Sequence, residues 1–64
     1  MTYRIKNISL NKYYTKMENQ NWVENIEHSE EFESKKEAKI ERNLFIDRNN
    51  LYYTRHSFII YKED

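Results

Sequence analysis

Neither glycine nor proline occurs anywhere in this 64-residue chain. Every tight turn must therefore be made by a residue with a side chain. Asparagine tolerates positive φ better than other such residues, and eight asparagines are present. The pairs Asn7–Ile8, Asn11–Lys12 and Asn49–Asn50 are thus the natural places for the chain to reverse or for a helix to stop. Cysteine is also absent, which removes disulfides, thiolate metal sites and thiol nucleophiles together. A chain this short folds as one domain, residues 1–64, and buries only about 60 % of the surface its unfolded form exposes. Packing or a partner subunit must supply what a disulfide or metal usually adds.

Alternation then places the strands. Tyr3-Arg4-Ile5-Lys6 has the period of a half-buried strand. Its parity slips at Asn7–Ile8, as at the approach to a turn. Asn11-Lys12 precedes the β-prone run Tyr13-Tyr14-Thr15-Lys16-Met17, so the chain opens with a hairpin. Glu18-Asn19-Gln20-Asn21 is a second connection, and Trp22-Val23 is a short third strand or a loop anchor. Between Glu24 and Glu33 one helical turn is expected. Ser34-Lys35-Lys36-Glu37 fits a capping box and predicts a helix from Lys35 to about Arg48. Its expected apolar arc is Ala38, Ile40, Leu44 and Phe45, with Glu41 an unexplained member. Lys35, Lys39 and Arg42 form a basic stripe on the other side. Leu51 to Thr54 and Ser57 to Tyr61 read as β structure. The second run is apolar on both faces and is expected inside the sheet. These elements make an α+β domain: a small antiparallel sheet of three or four strands with one principal helix packed on one face.

The formal net charge is zero, with 11 basic and 11 acidic residues. That total conceals a division. Residues 1–16 carry +4, residues 17–41 carry −5 and residues 42–64 carry +1. Such polarity can steer a partner over roughly 8 Å of screening length. A nonspecific nucleic-acid-coating protein would be basic overall. No apolar run approaches the ~20 residues of a membrane span, and a cytoplasmic protein is expected.

Enzymatic signatures are missing. Without glycine there is no phosphate loop, dinucleotide fingerprint or nucleophile elbow. His28 and His56 stand in no spaced ligand pattern, so no metal, no cofactor and no catalytic residue is assigned. Binding remains. Glu24, Glu27, Glu30, Glu31 and Glu33 place five carboxylates within ten residues, a spacing that can occupy an Arg/Lys-lined nucleic-acid groove on another protein. Trp22, just before them, is a candidate anchor. The alternative is a nucleic-acid face of Arg4, Lys6, Lys12, Tyr13, Tyr53 and Arg55, with Tyr14 and Tyr52, stacking bases and holding phosphates. A homodimer that completes a thin core is a third expectation.

Tyr3, Ile5, Tyr13, Tyr14, Thr15, Trp22, Ser29, Phe32, Ser34, Glu37 and Ala38 together form a pattern. It resembles that of small phage and prophage accessory proteins of low-GC Gram-positive type. In that group a hairpin leads to Trp, then to a Phe-x-Ser-x-x-Glu-Ala helix start and a closing strand. Ser29 stands where the group often has Ala. Some such proteins inhibit host defence, so the resemblance implies an anti-CRISPR-like inhibitor. Its partner would be a bacterial host protein, a CRISPR effector or another defence nuclease, in the host cytoplasm.

Overall fold

A computed structural model describes residues 2–16 and 20–63. Its strands are β1 (Thr2–Asn7), β2 (Lys12–Tyr14), β3 (Trp22–Val23) and β4 (Phe58–Glu63), with one α-helix, α1 (Lys35–Asn49). Two 3-10 segments, Ile26–His28 and Tyr52–Ser57, complete the elements. The sheet order is β3-β2-β1-β4, and every pairing is antiparallel. This is an α+β fold. The Met17 end of the second strand's run and Glu18–Asn19 of the connection lie outside the described residues.

Asparagine does perform the turn work. Among the described residues, Asn11 (φ 55°) and Asn50 (φ 53°) are those with positive φ. Asn7 helps at the same hairpin, its Oδ1 accepting from the Ser9 and Leu10 amides. Asn50 closes α1 in the left-handed conformation. At the helix start Ser34 Oγ accepts from the Glu37 amide at 3.1 Å, satisfying one of the orphan donors of the first turn.

One face of the sheet packs on α1. Ile5, Tyr14, Phe32, Ala38, Phe45, Ile46 and Phe58 form the buried core. Aromatic rings dominate it: Trp22 stacks on Phe58 at 5.4 Å and meets Phe45 edge-on at 5.5 Å. Tyr14 meets both Trp22 and Phe45 edge-on. Rings bury large areas each, and this is how a short chain assembles a core.

The structure corrects four local expectations. The inward helix stripe runs through Ala38, Glu41, Arg42, Phe45 and Ile46, whereas Ile40 and Leu44 are half exposed. Glu41 is admitted because its carboxylate accepts from the Tyr14 hydroxyl (2.7 Å) and Arg48 (3.2 Å), with Lys16 at 3.6 Å. Arg42 leaves the basic stripe, donating to the Phe58 carbonyl. Tyr52–Ser57 is 3-10 helix, not strand, and connects α1 to β4. Lastly, β4 lies at the rim of the sheet rather than inside it. Its second apolar face, Ile59 and Tyr61, is left partly open because no helix covers that side.

Candidate protein-binding surface

The acidic segment is built by local hydrogen bonds. Asn25 caps the first 3-10 turn, its Oδ1 accepting from the Glu27 amide at 2.9 Å. At the other end the Ser29 amide and hydroxyl both donate to the Ile26 carbonyl. The chain then runs along β1 and is stitched to the sheet. The Glu30 amide donates to the Tyr14 carbonyl, and Phe32 and Tyr3 exchange both main-chain bonds at 2.9 Å.

Arg4 locks this segment from beneath. Strand alternation puts Arg4 on the face opposite α1, where the segment covers it to 4 % exposure. Its guanidinium donates to the Ser29 carbonyl (2.8 Å) and hydroxyl (3.1 Å), to Glu31 (3.3 Å) and to Glu63 (2.9 Å). The hydroxyl of Ser29 thus serves a purpose that alanine lacks. The basic first segment and the acidic middle segment therefore meet within one chain, at Arg4–Glu31 and at Lys16–Glu41.

This geometry sorts the acidic candidates. Glu31 is partly neutralised by Arg4, although its side chain remains 67 % exposed. Glu24, Glu27 and Glu33 are exposed and Glu30 is half-buried. Among the described residues none of these four has an ion pair. Glu24, Glu27 and Glu33 thus face solvent, with Glu30 partly so, along a ridge whose backbone is tied by the bonds at Asn25, Ser29, Glu30 and Phe32. Trp22 is not a free anchor, because its ring is committed to Phe58, Phe45 and Tyr14. The four-ring cluster needs it more than any surface does.

The nucleic-acid face does not assemble as expected. Arg4 is consumed by internal bonds. Lys6 and Tyr13 do pair, the ammonium lying 5.5 Å from the ring centroid, and Tyr13 meets Tyr61 edge-on. Lys12, next to Tyr13 along β2, turns to the other side of the strand. Tyr14 is buried in the core. Tyr52, Tyr53 and Arg55 belong to the second 3-10 segment, away from the hairpin in sequence and element. Tyr52 donates to Asp47, a bond that raises its pKa.

A recess that sequence reading missed lies beside Glu41, lined by Tyr14, Lys16, Asn21, Phe45, Arg48 and Asn49, about 460 Å3 in volume. Burial, and then the hydrogen bond to Glu41, push the Tyr14 phenol up to about 12. The one sequence signal for it was the acid within the helix's inward stripe. Among the described residues no group of three His, Asp or Glu is placed to hold a metal ion. No described helix is long and apolar enough to cross a membrane. Comparison with family models, with curated proteins and with solved structures finds no match.

Proposed function

We propose that this chain is a phage-encoded, non-catalytic inhibitor that binds a bacterial defence nuclease and occludes its nucleic-acid groove. The observation that carries the reading is the ridge of Glu24, Glu27, Glu30 and Glu33, unpaired among the described residues yet fixed by the bonds at Asn25, Ser29, Glu30 and Phe32. Held carboxylates present charge to a basic groove without the ordering cost a flexible acidic tail would carry. The phage origin and the defence target are supported by the sequence resemblance alone.

The experiment is capture of host nucleases with the full chain, followed by competition with their nucleic acid. Glu24→Lys, Glu27→Lys and Glu33→Lys together reverse charges that make no internal bond, so the fold should survive. The wild-type chain displaces nucleic acid, its affinity falling as salt rises, and the triple variant loses at least about tenfold, near 1.4 kcal/mol. Equal affinity of the two chains for the captured nuclease refutes the groove mechanism.

A further inference from the structure

The open edge of β4 has an unused set of main-chain groups. β4 pairs with β1 from Thr2↔Glu63 to Asn7↔Phe58, in unbroken register. One step further, the Ile8 amide donates to the Ser57 carbonyl at 2.8 Å. Hydrogen-bonded and non-bonded pairs alternate along an antiparallel ladder. The main-chain groups of Ser57, Ile59, Tyr61 and Glu63 therefore face β1, and those of Phe58, Ile60 and Lys62 point away from the sheet. Phe58 is satisfied: its amide donates to the Arg55 carbonyl and its carbonyl accepts from Arg42. Ile60 and Lys62 have no such partner among the described residues.

Proteins ordinarily blunt such an edge by shortness, charged side chains, a bulge, proline or a cover, and β4 is charged only at its Lys62–Glu63 end. The opposite edge, β3, is two residues long. β4 has six residues, no bulge in its register and no proline. Beside the edge, on the face without a helix, Ile59 and Tyr61 are 39 % and 38 % exposed.

We propose that β4 is the seam of a homodimer, in which two copies pair β4 to β4 antiparallel about a two-fold axis and make one continuous sheet. Registers centred on or beside Phe58 need bonds that Arg55 and Arg42 already hold, which leaves three centred registers. Ile60 opposite Ile60 requires bonds from Phe58 that Arg55 and Arg42 already hold. Lys62 opposite Lys62 sets two ammonium groups face to face, which is destabilising. Ile60 opposite Lys62 uses both free residues of each copy, each pair exchanging both main-chain bonds. That register places Tyr61 opposite Tyr61 on the helix-free face, an aromatic cross-strand pair. A second copy is the fitting occupant because this pattern of donors and acceptors complements itself about Tyr61. The chain's zero formal charge also leaves no net repulsion between copies.

The test is sedimentation equilibrium of the full chain between about 10 µM and 1 mM, the range in which small interfaces dissociate. The mass is expected to rise from 8.1 kDa towards about twice that, and the Ile60 and Lys62 amides to exchange more slowly as concentration rises. Lys62→Pro removes an edge donor at a position where a strand accepts proline. Tyr61→Lys opposes two cations across the axis without touching the core. Each should weaken self-association at least about tenfold while circular dichroism stays unchanged. Should the proline variant misfold, the Tyr61→Lys variant decides. A wild-type chain still monomeric at 1 mM, or a dimer that persists in the folded variants with Ile60 and Lys62 exchange independent of concentration, overturns the proposal.

Discussion

Arg4→Met separates the internal role of Arg4 from every other feature of the domain. Methionine keeps the aliphatic stem and deletes the guanidinium, whose bonds go to Ser29, Glu31 and Glu63. The side chain is 5 % exposed, but its acidic partners are 67 % and 32 % exposed. Deleting one member of a fully buried pair costs about 3–5 kcal/mol because the other charge is stranded. Here the stranded charges reach water, so that part is smaller. What remains is the Ser29 carbonyl, left without its donor under the segment, at about 1–3 kcal/mol, plus the charge-assisted bond to Glu63. A total of about 2–4 kcal/mol follows. In a domain this small each kcal/mol moves Tm by roughly 4–8 °C, so a drop of at least about 8 °C is expected in a thermal melt followed by circular dichroism. Glu31→Gln is the internal control. Its carboxylate is two-thirds exposed, and pairs that reach water in this way contribute about 0–1 kcal/mol. Amide exchange adds a spatial check: Glu30 and Phe32, which bond to Tyr14 and Tyr3, should lose protection before the α1 amides do. An Arg4→Met variant that melts within a few degrees of wild type, or less perturbed than Glu31→Gln, would show that the acidic segment stands without its lock.

Two further outcomes follow from the helix and its contacts. The Tyr14 phenol, raised to about 12 by burial and by Glu41, is favoured neutral in the folded state over its ordinary value near 10. Its contribution is therefore complete below pH 10 and is lost as pH rises from 10 to 12; chemical denaturation at pH 9 and 11 should show a decline that Tyr14→Phe lessens. Ser34→Ala removes the acceptor for the Glu37 amide and should cost about 1 kcal/mol, read as a lower denaturation midpoint at unchanged slope.

The features that sequence disclosed are those decided by neighbouring residues. Asn11 and Asn50 adopt positive φ because no glycine is present to do so, and a local search for turn residues finds them. Ser34 caps its own helix for the same local reason. The hairpin and the Glu24–Glu33 helical turn also depend on residues close in sequence. What sequence concealed depends on distant pairs. Glu41 looked misplaced in an inward stripe until Tyr14, 27 positions away, supplied its donor. Arg4 alternates outward as predicted, but whether that face meets solvent depends on a segment about 25 positions later. Tyr52-Tyr53-Thr54 has strand-forming side chains, yet the short link from α1 to β4 leaves no neighbour to pair with, and it coils instead. Local propensity yields there to the constraint of the connection.

Segregated charge in sequence does not by itself mean segregated charge on a surface, since opposite segments can fold together and cancel. Here the cancellation is partial, and its pattern is specific. The +4 segment spends Arg4 on Glu31 and Glu63, and Lys16 on Glu41. Glu41 lies on α1 and Glu63 on β4, both outside the Glu24–Glu33 segment. Of the five acids between Glu24 and Glu33, Glu31 alone is neutralised among the described residues, and the arginine that does so also holds the segment's backbone. One buried cation thus removes one charge from the segment and fixes the position of the rest. Charge reversal at Glu24, Glu27 and Glu33 should therefore alter binding with little change in stability. Loss of Arg4 should reduce stability and weaken binding through lost order, although it makes the protein more acidic. A binding surface that depended on net charge alone would show the opposite for Arg4→Met, a gain in affinity for a basic partner.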